Sequence, residues 1–514
     1  MTEQPDPSLR DTVLGSGFGA WFGQGGGHDA RRLADWLVET DTGGLLAGWL
    51  GLDRLSRQMQ DGRQVQGGAT ALLAAIDRDI AAIDRLLGLM VDEILHHPAF
   101  QKLEALWRGT SFLIDNAAGV KGVKVRILNV KWAEITRDAD QALDFDQSRI
   151  FDRVYTEEFG TPGGEPFGLM LVDHAISHRP QPGLATDDIT TLRSLSAVAA
   201  ASFCPFIFTA SPMLFGVDSF RDLGMATDLT NGFSQPEYTR WRSLRDTEDA
   251  RFIGIAVPRI LMRLPYGDDG GRRDGFRYSE NTSALDASAY LWGSAGFAFG
   301  AVIIRAYANH NWFGDIRGAD RDGEAGGLLT NLTIDSFATD RQGLVPKPSM
   351  DVAIGDIMER ELAELGFIPL KRAAYTPFSV FQSNQSTQKP KTYRDVVTAT
   401  NARLSAMIQS MLCTGRFAHY LKVICRDKVG GYLTASDCEE HLTRWLSNYT
   451  TATADLPADT RARYPLRESR IEVTEKASKP GEYHCVVHLR PHFQLDEVSS
   501  AFRLVTTITS GQAA

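Results

Sequence analysis

The stretches GLMLVD (168–173), DDITTLRSLSAVAAASF (187–203) and PFIFTA (205–210) follow one another closely, and together they set the fold class. The first is a short apolar run of the length and content expected of a strand buried on both faces. The second reads as a helix, with Asp187 and Asp188 near its start, where the helix dipole favours negative charge. The third is another buried strand. Strand, helix, strand in this order predicts a parallel pair joined by a right-handed crossover. The chain therefore reads as α/β. Asp173 and Ser211 would then lie at strand ends, where α/β enzymes place their sites. Both residue types also end strands for turn-forming reasons. No GxSxG, HExxH or Gly-Lys-Ser/Thr phosphate loop accompanies them.

Working outward, GVKVRILNV (122–130) alternates like a strand. Residues 287–304 run 18 positions without a charge, near membrane-spanning length. Gly293, Gly296 and Gly300 instead suit a helix packed closely inside a large domain. FQSNQSTQKPKTY (381–393) is polar and interrupted by Pro390, and reads as a boundary or exposed loop. Two helices follow, at about 395–412 and 416–428. A third is announced by Ser436 with Glu439 as a capping box and runs through Trp445 to Tyr449. RIEVTEK, a turn at SKPGE and YHCVVHLRP then predict a hairpin, and AFRLVTTIT (501–509) a final strand.

The hairpin contains His484, Cys485 and His488, with His492 just beyond. On a strand, Tyr483, Cys485, Val487 and Leu489 share an apolar face, and His484, His488 and Arg490 share the other with Val486. Strand positions four apart are about 13 Å from each other, too far for one ion to bridge, and Cys485 faces away. No metal site is expected.

The N-terminal region differs in composition. GSGFGAWFGQGGG (15–27) holds seven glycines in thirteen positions, without the strand and helix a nucleotide loop needs. It reads as a flexible arm with apolar anchors, with a short amphipathic helix at 29–40 carrying Leu33, Trp36 and Leu37. Beyond it, Leu72, Ile76, Ile80, Ile83, Leu87, Met90 and Ile94 recur every three or four residues, a seam like that of a coiled coil. A helix of that span is about 40 Å long. A partner helix and an ordinary long core helix both fit the pattern.

The full chain has 514 residues, enough for several domains, and a net charge of −10 from 54 basic and 64 acidic residues. That balance disfavours nucleic acid or an anionic membrane as main partner. Five cysteines without a CxxC predict reduced, buried thiols. The N-terminus shows no secretory leader.

Several segments together resemble one family. They are EILHHPAFQKLEALWRG (93–109), GGEPFGLMLVDH (163–174), EYTRWRSLRDTEDARFIGIAVPRILMRLPYG (237–267), YLWGSAGFAFG, ELGFIPL, QKPKTY, TATNARLSAM, RFAHYLKVICRDKVG and LRPHFQLDE. In order and spacing they resemble TssC (VipB), the large subunit of the type VI secretion contractile sheath, over about residues 70–508. The resemblance implies a contractile tail-sheath fold, a mixed β-sheet flanked by helices, and no catalytic residue, cofactor or metal. It implies pairing with a small subunit, TssB (VipA), and stacking of the heterodimers around an Hcp tube on a baseplate in the bacterial cytoplasm. Neighbouring protomers would exchange β-strands. The ATPase ClpV would disassemble the contracted sheath, with the N-terminal arm as its contact. On this reading residues 1–68 are the arm, 69–97 the partner-binding helix, 98–385 the α/β sheath region and 386–514 a C-terminal domain. The hairpin, with Ile471, Val473, Tyr483, Cys485, Val487 and Leu489, would offer the strand-exchange edge. Asp437, Glu439, Glu440 and Arg444 are candidates to face the tube. The rival readings are an α/β hydrolase or metalloenzyme, and the sheath of another contractile injection system.

Overall fold

The computed structural model describes residues 9–15, 33, 35–41, 45, 48–49, 68–180, 186–225, 228–268, 275–282, 287–319, 325–335, 350–373, 376–427, 435–451, 453, 458–475, 482–492 and 502–509. The chain divides into two compact units, one of residues 1–101 with 265–290, the other of residues 102–264 with 291–514.

In the first unit, helix α1 (Leu9–Gly15) lies against α2 (Gly68–Leu95), a helix of 28 residues. Its apolar stripe is interrupted by Asp79 and Asp92, both buried. Each is satisfied from outside the helix, as buried carboxylates require. Arg10 Nε reaches Asp79 at 2.7 Å and Trp49 Nε1 donates to it at 3.1 Å. The Arg10 hydrogen bond holds the Asp79 carboxyl below the usual range. Asp92 accepts from the Tyr278 hydroxyl at 2.6 Å and from Asn281 N at 3.2 Å. The Gly-rich stretch 15–27, apart from Gly15 at the end of α1, lies outside the described residues. Helix α3 (Pro98–Ala117) carries the chain into the second unit.

The second unit holds α4 (Trp132–Gln141) and strands β1 (Met170–Ile176), β2 (Phe206–Ala210), β3 (Ile253–Val257), β4 (Ile260–Leu261), β5 (Trp292–Gly293), β6 (Leu328–Leu329), β7 (Ile368–Arg372) and β8 (Ser379–Phe381). Six of them form a mixed sheet in the order β1-β2-β3-β7-β8-β6. The first four are parallel, and β8 and β6 add antiparallel. Helix α5 (Asp188–Ser202) joins β1 to β2, as the opening stretches predict. Asp187 caps it by accepting from Thr190 N. The pleat sorts the core: Phe206 and Phe208 pack with α5, while Ile207 packs with α6 (Ala295–His310) on the opposite face. The sheet is thus covered on both sides, which is what allows β2 and β3 to be apolar at nearly every position.

Helix α6 is the buried helix expected inside 287–304, although Trp292 and Gly293 form β5 before it. A Cβ at Gly300 would come within 2.9 Å of both Leu171 and Leu113, so the glycine allows the close approach. No described helix is long and apolar enough to cross a membrane.

Helix α7 (Ile408–Asp427) follows a shorter helix, Val396–Ser405. Then come α8 (Ala435–Ser447) and strands β9 (Leu466–Glu475), β10 (Glu482–Pro491) and β11 (Phe502–Thr509). These strands form an antiparallel sheet with β10 in the centre.

Four expectations need correction. Residues 122–130 form no strand, because nothing within the described residues pairs with them. Residues 384–388 are not an exposed loop. Asn384, Ser386 and Thr387 are fully buried, since the main chain is stitched to β3 and to the break between helices by Thr387 N to Ile253 O, Ser386 N to Ala406 O and Ile408 N to Asn384 O. The break between the two helices falls at 406–407, where those bonds are made, and not at 413–415. Gly415 lies inside α7, where a Cβ would meet Phe203 O at 2.5 Å. Finally, Ser436 lies within α8 and Glu439 does not reach back to cap it; its carboxylate accepts from Val473 N at 3.0 Å.

Candidate assembly surfaces

The α2 seam is placed as a continuous helical stripe. Ile76, Ile83, Leu87 and Met90 are half-buried, while Ile80 is 51% and Ile94 58% exposed. Leu73 and Leu89 are more exposed than half as well. An aqueous surface gains nothing from such residues, and contiguous apolar patches mark interaction sites. Leu72 lies in α2, and its side chain falls outside the described residues. A second stripe was passed over in the sequence: Leu103, Trp107 and Ile114 on α3 are 53%, 60% and 47% exposed. Their spacing of four and seven was the available signal. The opposite face of α3 packs inward through Ala105, Gly109 and Leu113.

The hairpin residues sit as their alternation requires. Cys485, Val487 and Leu489 of β10 are buried, with Ile471 and Val473 of β9 in the same cluster. His484 and His488 are half-buried on the other face. Tyr483 lies opposite Glu475 in the ladder. The turn at SKPGE falls outside the described residues apart from Glu482. Because β10 is bonded to β9 on one side and β11 on the other, its own edges are occupied. An incoming strand meets only the outer edge of β9 or of β11. On β9, Glu439 of α8 occupies the Val473 N–H.

The other α8 candidates are on its surface. Asp437 and Glu440 are exposed, and Arg444 pairs with Glu440 at 2.6 Å. An exposed pair of this kind adds little stability, which leaves it free to exchange partners.

Residues of the rival enzyme reading do not converge. Asp173 lies in the middle of β1 and not at its end, and burial raises its carboxyl above the usual range. The Ser211 hydroxyl caps the short turn after β2 by accepting from Met213 N. A buried carboxylate absent from the candidate residues, Asp188, gathers three elements instead. It accepts from Trp132 Nε1 at 2.8 Å, His174 Nε2 at 3.2 Å and Ser177 N at 3.0 Å. Trp132 stacks on His174 with ring centroids 4.1 Å apart. This ties α4, β1 and α5 together and presents a structural network. Among the described residues no group of three His, Cys, Asp or Glu side chains could hold a metal ion. All five cysteines are free and buried, and burial pushes the Cys413 and Cys485 thiols up to about 12.

Comparison with known proteins gives the family of the chain. Residues 77–388 match the VipB family model, the EvpB/VC_A0108 tail sheath N-terminal domain. Residues 397–508 match the EvpB/VC_A0108 tail sheath gpW/gp25-like domain. The Type VI secretion system sheath protein TssC1 of Pseudomonas aeruginosa PAO1 is 37% identical over 445 residues, covering 86% of this chain and 87% of the relative.

Proposed function

We infer the role of this chain from its family: it belongs to the EvpB/VipB tail-sheath family, the large sheath subunit of type VI secretion systems. It pairs with a small subunit of the TssB type, and the heterodimers polymerise around an Hcp tube in the bacterial cytoplasm, anchored on a baseplate. Contraction of this polymer drives the tube outward. The chain works as a structural element without catalysis, and ClpV would recycle the contracted sheath through the N-terminal arm.

The observation that carries the pairing is the α2 seam, in which Ile80 and Ile94 stand more than half exposed on a helix about 40 Å long. A second helix laid along it would remove those side chains from water. A sheath must also hold together while its subunits slide. Donated strands do this through main-chain hydrogen bonds that need little side-chain interface, and the β9–β11 sheet is our candidate for that exchange. Asp437, Glu439, Glu440 and Arg444 on α8 remain the candidates to face the tube. The stroke needs no nucleotide if the extended and contracted lattices are two packings of different free energy.

Co-expression with the small subunit tests this reading. Electron microscopy is expected to show tubules with a cogwheel cross-section. Ile80→Asp with Ile94→Asp places two charges on exposed positions, so the chain still folds, yet they would be buried in the heterodimer at a cost of several kcal/mol. The double variant is expected to lose co-purification of the small subunit. Undiminished co-purification refutes the seam.

A further inference from the structure

Three of the five cysteines meet where α7, α8 and β10 converge. Cys425 lies in the last turn of α7, Cys438 at the start of α8 and Cys485 in the middle of β10. All three are buried in the same apolar cluster. The main chain explains how the second and third come together. Cys485 stands opposite Val473 in the β9–β10 ladder, and Glu439, the residue after Cys438, accepts from the Val473 N–H at 3.0 Å. The Cys425 thiol completes the group by donating a hydrogen bond to the Cys438 sulfur. The thiols are not alike. Burial raises those of Cys204, Cys413 and Cys485, which keeps them inert. Cys438 moves the other way: the Cys425 hydrogen bond lowers it and outweighs both burial and the Glu439 carboxylate beside it. The nucleophilic thiolate form is thus favoured on Cys438, with a second sulfur in contact.

A nucleophilic thiol with a resolving thiol beside it is the layout of a peroxide-reactive pair. We propose that Cys438 and Cys425 form an oxidative modification site whose substrate is a small hydroperoxide, hydrogen peroxide in the simplest case, and whose product is a disulfide joining the end of α7 to the start of α8. The Cys438 sulfur attacks one peroxide oxygen. The S–O bond forms, the O–O bond breaks, and the departing hydroxide leaves as water with the Cys438 proton. The Cys425 sulfur then attacks the sulfenic sulfur. The S–S bond forms, the S–O bond breaks, and a second water leaves with the Cys425 proton. Two thiols are oxidised by two electrons, and one peroxide is reduced to two waters. Sulfurs already in hydrogen-bond contact need little movement to reach the ~2 Å of a disulfide. Access is through the helix ends, which open at a lower free energy than the core, and hydrogen peroxide is little larger than water. The cysteines are reduced at rest. In a reducing compartment such a bond is transient and reports the redox state, and while it lasts it holds α7 and α8 at one spacing.

Hydrogen peroxide added to the folded full chain tests it, with mass spectrometry after alkylation and digestion without reductant. One cross-linked peptide, Cys425 with Cys438, is expected in more than about half of the molecules, with Cys204, Cys413 and Cys485 at least ~10-fold less modified. Amides at the end of α7 and the start of α8 are expected to exchange ~10-fold more slowly in the oxidised chain, and dithiothreitol to restore the original rates. Cys425→Ala removes the resolving sulfur and is expected to leave a sulfenic acid on Cys438 that dimedone captures, whereas Cys438→Ala leaves Cys425 unlabelled. The unsubstituted chain decides the matter if either variant fails to fold. A folded chain that yields no Cys425–Cys438 peptide overturns the proposal, and so does one in which Cys485 takes the place of Cys425. A cross-link that forms only after unfolding in urea overturns it as well.

Discussion

Two glycines inside helices allow the same substitution to be tried in opposite surroundings. Gly88 lies in α2, where an added Cβ finds only Tyr278 Cδ2, at 3.8 Å. Gly415 lies in α7, where the Cβ would sit 2.5 Å from Phe203 O. An ordinary carbon–oxygen contact is about 3.3 Å or more, so α7 must retreat by roughly 0.8 Å. Phe203 cannot yield, because it caps α5 in the left-handed conformation, with φ of 53° and its N–H bonded to the end of that helix. The retreat would also stretch the bond from His419 Nε2 to Ser202 O, now 2.8 Å and buried. Glycine to alanine inside a helix gains about 1 kcal/mol. Overpacking costs about 1–3 kcal/mol, and a strained buried hydrogen bond costs up to about 1–3 kcal/mol more. Gly415→Ala is thus expected to lose about 2 kcal/mol and Gly88→Ala to gain about 1 kcal/mol. Native-state hydrogen exchange reads each helix separately. At 1.4 kcal/mol per factor of ten, α7 amides are expected to exchange roughly 30-fold faster in the first variant and α2 amides about 5-fold slower in the second. Shifts of the same sign in both refute the close-approach argument.

Three further outcomes follow from groups described above. His419 is buried against Arg416 and Lys422, and burial, the largest cause, lowers its pKa to about 3. The folded chain therefore binds fewer protons there than the unfolded chain. The His419 contribution is complete above about pH 6.5 and drains as pH falls towards 3, so His419→Gln should flatten that part of the stability profile measured by urea titration. Asp188→Asn leaves one oxygen for four donors, Trp132, His174, Ser177 and Thr186, and orphaning a buried donor costs about 1–3 kcal/mol; a lowered urea midpoint with unchanged slope is the expected reading. Glu439→Ala frees the Val473 N–H, and faster exchange at that amide, with the rest of β9 unchanged, would confirm the contact.

What the sequence disclosed follows the physics of each segment. The β1–α5–β2 unit was legible because β2, buried on both faces, must be a continuous apolar run, and the half-buried edge strand β1 opens on one as well. The α2 seam was legible from its spacing, though not the burial of Asp79, whose partner Arg10 lies 69 residues away. Residues 122–130 carry the correct alternation for a strand and still form none, since a strand is defined by its neighbour. Polar residues 384–388 read as solvent-facing, while their main chain is pulled inward by β3. The Asp188 network was invisible for the same reason as Arg10: its donors sit at positions 132, 174 and 177, which only the fold brings together.

The bond from Glu439 to Val473 makes the two sides of the C-terminal sheet unequal. A strand approaching β9 must first displace a carboxylate, whereas the outer edge of β11 carries no ladder among the described residues. For subunits linked by the strand exchange proposed above, that inequality makes the outer edge of β11 the receiving one. Donor and receiver are then different surfaces of each copy, so that one copy hands on to the next. Contacts of that kind close into a ring where the rotation allows and run on as a helix where it does not.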